Sequence, residues 1–326
     1  MSAVELQAGH VIAGRYRLTR PLASGGMGFV WVALHLQLDI DVAIKFMAPA
    51  SMASAEARAR FEREAKASAR LQSPNVVQIY DYGIEDGRPF LVMELLRGED
   101  LEARLRREGR LSMADTRKIV EPVCLALLRA HEAGLVHRDL KPANLFVGQP
   151  GEGSVVKVLD FGIAKDTHLG LVDIATKTGS IVGSPHYMSP EQVRRSRGVD
   201  LRSDLWSLGV IVFRCLTGQL PFPGDEIGDV LVEVCADPIP IPSQIDPSLG
   251  PEVDRFIARA LARALEQRFQ SAGELLAAFV ALTDVRAPSL AIVGFATSSS
   301  PKPPPTAAAA PWILPGGGGA TFAGKF

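Results

Sequence analysis

The chain has 326 residues, a formal net charge of −1 at pH 7 and an apolar fraction of 47%. This length allows one large domain or two coupled lobes with tails, and this apolar fraction is ordinary for a protein that buries a core. The near-neutral charge argues against a nucleic-acid-binding surface, so we expect no nucleic-acid partner.

Cysteine usage and hydropathy predict a cytoplasmic protein. The three cysteines are widely spaced and odd in number, which argues against a disulfide framework or a zinc site and for a reducing compartment. Residues 1–5 do not begin a basic region followed by an apolar run, so we expect no signal peptide. The apolar run at residues 290–296 is shorter than the roughly 18–20 residues of a membrane-spanning helix, so we expect no membrane segment in this chain.

The first part of the chain has the pattern of a small β-rich lobe with one helix. Apolar alternation and short apolar runs beside turn residues predict strands. These strands lie at residues 16–19, 30–34, 42–46, 76–82 and 90–93. Residues 54–71 are rich in Ala, Glu and Arg, and Ser54 is suited to an N-cap, which together predict a helix.

After Gly98 the apolar spacing becomes helical, which predicts a larger helical lobe. The predicted helices cover residues 112–133, 203–217, 251–265 and 271–282. From about Asp284 the composition shifts, and a Pro, Ala and Gly tract that starts at residues 298–305 cannot offset its ordering entropy, so we predict a disordered tail or a linker. The predicted divisions are a lead at 1–15, a first lobe at 16–93, a second lobe at 94–283 that opens on a hinge at 94–98, and a tail at 284–326.

The most informative stretch is His-Arg-Asp-Leu-Lys-Pro-Ala-Asn at residues 137–144, and a second acid follows in Asp-Phe-Gly at 160–162. An isolated Asp or Asn in a loop is usually a turn residue. This combination, however, supplies the acids, the ammonium and the amide that phosphoryl transfer from Mg-ATP to a hydroxyl requires. The order and spacing resemble the protein kinase superfamily, and Lys141 and Pro142 resemble its Ser/Thr branch.

Residues 22–30, Leu-Ala-Ser-Gly-Gly-Met-Gly-Phe-Val, resemble the glycine-rich loop of that superfamily. Glycine lets the backbone approach phosphate oxygens and present its N–H groups, although a plain hairpin turn explains such a loop equally well on its own. Ala23 stands where the family has its first glycine, while Gly25, Gly28 and Val30 keep the family positions. We expect reduced loop flexibility rather than lost binding.

Lys45 lies in the apolar run 42–46 and resembles the lysine that binds the α- and β-phosphates. The resemblance implies that Glu64, on the predicted helix 54–71, pairs with Lys45. A solvated helix face is the alternative for Glu64, because several charged residues surround it.

Residues 93–96 resemble the hinge, whose backbone would bind adenine. Asp100 stands where the family often has an acid for the ribose hydroxyls, and a surface-loop acid is the equal alternative. The resemblance implies nucleotide contacts from Leu22, Ala23, Ser24, Gly25, Gly26, Met27, Gly28, Val30, Ala43, Lys45, Glu94, Leu96, Asp100 and Phe146.

For the chemistry, the resemblance implies that Asp139 orients the attacking hydroxyl and that Lys141 neutralises charge on the transferred group. Asn144 and Asp160 would hold Mg²⁺ through hard oxygen ligands, with Mn²⁺ as an alternative metal. The implied catalytic residues are Asp139, Lys141, Lys45 and Glu64.

Three further features resemble the end of a kinase activation segment and its supports. Residues 183–191 resemble the segment itself, and Glu191 is expected to pair with Arg268. Asp204 is expected to anchor the backbone of the catalytic loop from a buried helix. Phosphotransferases of other classes that share a catalytic Asp and Asn generally lack these features, which disfavours a small-molecule phosphotransferase.

Arg138 directly precedes Asp139, an arrangement typical of kinases that activation-loop phosphorylation controls. The candidate acceptors in this chain are Thr176 and Thr178, followed by Ser180. A polar flexible loop is the alternative, and a homodimer would allow autophosphorylation.

The resemblance covers residues 16–282, and it is to the bacterial eukaryotic-like (Hanks-type) serine/threonine protein kinase family. It implies an α+β bilobal protein-kinase fold and ATP-dependent transfer of phosphate to Ser/Thr hydroxyls of protein substrates. A catalytically impaired kinase-fold scaffold is the alternative, which Ala23 weakly favours.

Overall fold

The computed structural model describes residues 6–25, 28–47, 54–149, 155–161, 185–196 and 198–285. The tail predicted at 284–326 therefore lies almost wholly outside the described residues. Among the helices of the described ranges, none is both long and apolar enough to cross a lipid bilayer.

The first lobe is built on a six-stranded sheet in which the spatial order of the strands is β1-β2-β3-β4-β6-β5. All neighbouring strands run antiparallel. The strands are β1 Val11–Ile12, β2 Tyr16–Gly25, β3 Gly28–His35, β4 Ile40–Phe46, β5 Ile79–Glu85 and β6 Arg88–Glu94. This confirms a β-rich first lobe.

Two strand boundaries differ from the prediction. β1 pairs through Val11 with Arg17, so part of the predicted lead belongs to the sheet. β5 begins at Ile79 rather than at Val76, because Val76 instead forms a parallel bridge with Val158 near the second sheet.

Helix α1, Ala55–Ala69, packs against this sheet as predicted. Ser54 has an extended backbone, and its side-chain oxygen accepts a hydrogen bond from the amide of Ala57 at 3.1 Å, which confirms the N-cap. Phe61 and Ala65 on the buried face have almost no exposed surface, and the ring of Phe61 meets that of Tyr82 edge to face. Packing therefore fixes this helix on the sheet.

The second lobe is mostly helical and contains a three-stranded sheet in the order β7-β8-β9. Its strands are β7 Gly98–Asp100, β8 Leu145–Gly148 and β9 Val156–Val158. Its described helices are α2 Leu101–Glu108, α3 Met113–Glu132, α4 Pro190–Val193, α5 Arg202–Thr217, α6 Ile227–Ala236, α7 Pro242–Ile245, α8 Gly250–Ala260 and α9 Ala272–Val285.

Helices α3, α5 and α9 match their predicted positions closely, whereas α8 ends five residues early. It ends at Ala260 rather than at residue 265, and the Nε atom of Arg268 binds the carbonyl oxygen of Ala262 at 3.0 Å. The amide of Ala262 donates to the carbonyl oxygen of Arg259, three residues earlier, so the chain leaves the α-helical hydrogen-bond pattern directly after Leu261.

Helix α5 is the central element of this lobe. Nearly all of its side chains are buried, as expected for a helix that is surrounded by protein. A β-carbon added at Gly209 would lie 2.8 Å from that of Ala260, so α5 and α8 are in close contact at this glycine. The core of the second lobe thus forms around α5. The loop at residues 137–144 is hydrogen-bonded to Asp204 in the N-terminal half of this helix.

The predicted ion pair between Glu191 and Arg268 is confirmed. The guanidinium, which has no exposed surface, donates to both carboxylate oxygens at 2.8 and 3.2 Å. It also donates to the carbonyl oxygen of Arg202 at 2.8 Å and lies 5.1 Å from the ring centroid of Trp206. Arg268 therefore connects α4, the start of α5 and the chain after α8.

Arg268→Met should lower the free energy of unfolding by about 3–5 kcal/mol, because it leaves the buried Glu191 carboxylate without its cation. Urea unfolding measures the difference. Arg129→Met is the matched control, since Arg129 forms an exposed pair with Glu132, and it should change the free energy by about 0.5 kcal/mol or less. Equal effects of the two substitutions would contradict the bracing role of Arg268.

Candidate active site

Asp204, at the start of α5, holds the backbone of the 137–144 loop as predicted. Its carboxylate has no exposed surface. One oxygen accepts from the amide of Arg138 at 2.8 Å, and the other accepts from the amide of His137 at 2.9 Å and lies 2.8 Å from His131 Nε2. The loop is thereby fixed to the central helix of the second lobe.

The buried imidazole of His137 connects this loop to residues 159–161. Its Nδ1 accepts from the amide of Asp139 at 3.2 Å, so the proton must lie on Nε2, which donates to the carbonyl oxygen of Leu159 at 2.8 Å. The ring also meets that of Phe161 edge to face at 4.9 Å. One neutral histidine therefore sets the distance between the two acidic motifs.

Arg138 and Asp160 both have positive φ angles, 62° and 56°. Such angles are uncommon for residues other than glycine and cost on the order of 1 kcal/mol or more each. The strain is offset at Arg138 by the hydrogen bond of its amide to Asp204 and at Asp160 by its ion pair with Lys45. Arg138 directly precedes Asp139, and Asp160 is itself a predicted metal ligand, so both strained residues belong to the predicted site.

Asp139, Lys141 and Asn144 lie together at the centre of the loop. The ammonium of Lys141 is 3.0 Å from the Asp139 carboxylate. The amide nitrogen of Asn144 donates to the Asp139 carbonyl oxygen at 2.8 Å, and the Asn144 carbonyl oxygen accepts from the amide of Leu159 at 2.9 Å. Asn144 thus links Asp139 to the residue before Asp160.

The ammonium of Lys45, on β4, lies 2.5 Å from the Asp160 carboxylate, and both side chains are largely buried. The predicted ion pair between Lys45 and Glu64 is wrong for this structure, because these two described residues do not form one. Burial raises the pKa of the Glu64 carboxyl, and the nearby charges of Arg60, Arg63 and Arg138 oppose that rise. The Lys45 ammonium is therefore paired with Asp160 and not with Glu64, its expected partner.

Helix α1 is instead connected to the 160–162 motif through Ser68. The buried hydroxyl of Ser68 donates to the carbonyl oxygen of Phe161 at 3.3 Å. Nothing in the sequence distinguishes Ser68 from other helical serines, so sequence reasoning could not have found this contact.

The glycine loop explains why Ala23 is tolerated. Ala23 pairs with Val30 in the β2–β3 ladder and does not have a positive φ angle, so its position does not require glycine. Gly28 has a φ angle of 132°, and a β-carbon there would lie 1.9 Å from the carbonyl oxygen of Phe46. Ser24 and Gly25 continue the ladder, whereas Gly26 and Met27 lie outside the described residues.

Several predicted base-contacting residues belong to one apolar cluster. Val30, Ala43 and Leu96 pack in it together with Met93 at the end of β6. Phe146, half-buried on β8, lies opposite Asp100 in the second sheet. Leu22 is exposed on β2. The cluster offers an apolar surface at the junction of the two lobes.

The Glu94 side chain has a structural role at the hinge. Its Oε1 atom accepts from the amide of Gln78 at 2.7 Å and from the ammonium of Lys157 at 2.6 Å. The carboxylate therefore ties the hinge to β9, three residues before Asp160. The position of Lys157 between two buried valines was the available sequence signal, and the prediction missed it.

Asp100 caps α2, since its carboxylate accepts from the amide of Ala103 at 2.7 Å. This capping role was not among the two alternatives considered for Asp100. The cap fixes the start of α2 next to the paired strands β7 and β8. The contact of Asp100 with the ribose hydroxyls stays a prediction.

The donor set suits a magnesium ion. Asn144 and Asp160 each have one side-chain oxygen that accepts no hydrogen bond from another described residue. Amide and carboxylate oxygens are the hard ligands that Mg²⁺ prefers, with few protein ligands and with phosphate completing the shell. The backbone hydrogen bond from the amide of Leu159 to the carbonyl oxygen of Asn144 keeps Asn144 close to Asp160, the residue after Leu159.

The sequence matches a family model described as protein kinase domain over residues 16–279. The serine/threonine-protein kinase pkn3 of Myxococcus xanthus is 40% identical over 236 residues, which are 71% of this chain and 43% of that protein. The serine/threonine-protein kinase PknA of Mycobacterium tuberculosis is 36% identical over 239 residues, which are 72% of this chain and 54% of that protein. The chain thus spans about half the length of these relatives.

Solved structures show the same fold. The PknI kinase domain of Mycobacterium tuberculosis superposes with a TM-score of 0.69 at 28% sequence identity. The match covers 85% of this chain and 100% of that chain.

Ala23→Gly should leave Mg-ATP affinity within about twofold, because the position does not need glycine's conformations. Gly28→Ala should lower the free energy of unfolding by roughly 1–3 kcal/mol and weaken the affinity, because the new β-carbon meets the Phe46 carbonyl at a φ angle that side chains disfavour. Calorimetric titration with Mg-ATP and urea unfolding measure the two effects. A large gain in affinity for Ala23→Gly would contradict this account of the loop.

Proposed function

The chain belongs to the protein kinase domain family, and from that premise we propose that it transfers the γ-phosphoryl group of ATP to serine and threonine hydroxyls of protein substrates. The observation that carries the proposal is the convergence of Lys45, Asp139, Asn144 and Asp160. These residues come from two lobes and three stretches of chain, and hydrogen bonds join their loops.

Asp139 is the group that accepts or orients the proton of the attacking hydroxyl. The transition state of phosphoryl transfer is loose, so fixed placement contributes more than strong basicity. The anchored backbone of the loop supports this role, since Asp204 binds the two amides that precede Asp139. Lys141, 3.0 Å from Asp139, supplies a positive charge where negative charge develops.

Asn144 and Asp160 would hold Mg²⁺, and Lys45 would bind the phosphates nearest the nucleoside. When bound, the metal neutralises phosphate charge and polarises the transferred group. Val30, Ala43 and Leu96, which share one apolar cluster, would contact the base, and backbone amides of the glycine loop would bind the phosphates.

A catalytically impaired scaffold is the alternative, and the backbone position of Ala23 gives it little support. Ala23 occupies a ladder position that does not need glycine, and the charged residues that the chemistry requires are present and connected. The transferase is therefore the better-supported function.

Asp139→Asn and Asp160→Asn should each reduce kcat for phosphate transfer from Mg-ATP to a generic protein acceptor by about 100-fold or more, because each removes a charge used in the transition state. Radiolabelled phosphate incorporation measures the rate, and phosphoamino-acid analysis identifies the acceptor residue. Glu252→Gln, at an exposed carboxylate of the second lobe, is the control and should keep wild-type activity. An inactive wild type, equal incorporation in the variants, or phosphate on tyrosine alone would contradict the proposal.

We further propose that autophosphorylation of the activation segment raises this activity. Arg138 lies beside Asp139, and its Nε atom is buried without a hydrogen-bond partner within the described part of the chain. A phosphate offers charged acceptors that satisfy such a guanidinium and can order a loop. The candidate acceptors Thr176, Thr178 and Ser180 lie outside the described residues.

Replacing both Thr176 and Thr178 by alanine should lower the acceptor phosphorylation rate about tenfold, since Arg138 then lacks its phosphate partner. Mass spectrometry of the active wild type should find phosphate on one of these threonines, and a rate that rises with protein concentration would indicate transfer between two copies. Full activity with both threonines unmodified would contradict the regulatory proposal and leave the transferase assignment intact.

A further inference from the structure

Arg214, on α5, joins two elements that lie on either side of the site. Its guanidinium donates to both oxygens of Glu102 on α2, at 2.6 and 2.9 Å. The same group donates to the hydroxyl of Tyr187 at 2.6 Å. We call these three residues the Arg214 bridge.

The charges in the bridge are matched and partly shielded from water. The hydrogen bond with Glu102 raises the pKa of Arg214. Burial alone would raise the pKa of Glu102, but Arg214 and Arg106 together lower it, so the pair is ionised at neutral pH. The side chains of Arg214 and Glu102 are each about one-fifth exposed, at 18% and 21%. A bidentate pair in this setting fixes geometry as well as charge.

Tyr187 places one end of the bridge beside the catalytic acid. It ends the short 3₁₀ turn Pro185–Tyr187, and its carbonyl oxygen accepts from the Ser207 hydroxyl at 2.7 Å. Gln192, in the following helix α4, donates to the carbonyl oxygen of Arg138 at 2.8 Å. Residues 185–193 are thus bonded to the peptide group that precedes Asp139, so they form a wall beside the carboxylate that an acceptor hydroxyl must approach.

Glu102 places the other end of the bridge beside the nucleotide pocket. It lies in the first turn of α2, which Asp100 caps. Asp100 pairs with Phe146 in the β7–β8 ladder. The bridge therefore connects the acceptor wall to the element that borders the predicted adenine and ribose contacts.

We propose that Arg214 is a positioning residue for the protein substrate: through Tyr187 it holds the 185–193 wall at a fixed distance from α2 and so shapes the groove that receives the acceptor segment. The proposal rests on the proposed transferase function. Arg214 touches no reacting atom, so its loss should impair acceptor binding rather than the phosphoryl-transfer step. The sequence placed Tyr187 within the activation-segment motif at 183–191 but gave no role to Arg214 or Glu102.

Tyr187→Phe removes only the hydroxyl of the bridge and keeps the packed ring. It should raise KM for a protein acceptor about tenfold, the lower end of the effect of losing one hydrogen bond to a charged group, while kcat and KM for ATP stay within about twofold. Arg214→Lys keeps the charge but loses the bidentate geometry, and it should raise the acceptor KM at least as much. Arg255→Lys, in an exposed pair with Glu252, is the matched control and should change neither constant.

Initial rates with myelin basic protein and Mg-ATP give both KM values for each variant. An unchanged acceptor KM in Tyr187→Phe, or an equal rise in both KM values, overturns the positioning role. Absence of transfer by the wild type would instead overturn the proposed function on which the inference rests. Amide hydrogen exchange provides a readout independent of activity: Tyr187→Phe should speed exchange in residues 185–193, and unchanged exchange there also overturns the proposal.

Discussion

Asp204 provides the constraint on which the arrangement of the site depends. Its carboxylate is removed from water, and its oxygens are satisfied by two consecutive amides of the catalytic loop and by His131. A buried charge of this kind is tolerated only while its partners stay in place, so any other loop conformation would leave it unpaired. The strained backbone of Arg138 persists for this reason, and the groups bonded to the loop are positioned with it.

Among the described residues, the contact between the two lobes combines ion pairs with a neutral hydrogen bond. Lys45 crosses from β4 to Asp160, whereas α1 reaches the same motif through the hydroxyl of Ser68. Glu64 does not share in this contact and lies half-buried near several arginines. The carboxylate of Glu94 adds a tie between the hinge and β9 through Lys157. The placement of Asp160 thus depends on side chains from β4, from α1 and from the hinge.

Features with a local cause were predictable from the sequence. Ser54 predicts the start of α1 because its side chain can cap a helix. The apolar residues of α5 predict a buried helix close to its observed bounds, Arg202–Thr217. The 137–144 motif predicts the grouping of Asp139, Lys141 and Asn144 because these residues are close along the chain.

Features that depend on distant partners were not predictable in this way. Lys157 and Glu94 are 63 residues apart, and neither position alone marks the pair. Helix α2 was missed because its short, charged sequence has only two buried side chains, and its N-cap Asp100 was considered only for ribose binding or as a loop acid. The end of α8 was misplaced because the helical apolar spacing continues past Ala260, whereas the amide of Ala262 already bonds to the carbonyl oxygen of Arg259, three residues earlier. Whether Lys45 pairs with Glu64 or with Asp160 likewise depends on the three-dimensional placement of the two carboxylates, which the sequence does not give.

The distance along the chain between Glu191 and Arg268 has a consequence for synthesis. The two residues are 77 positions apart, and the later one supplies the only cation paired with Glu191 among the described residues. On a ribosome, Glu191 and the adjoining Gln192 leave the exit tunnel long before Arg268 does. The 185–193 wall therefore cannot be fixed in place until almost the whole second lobe has been translated, and a nascent chain that stops short of Arg268 leaves the Glu191 carboxylate without this cation.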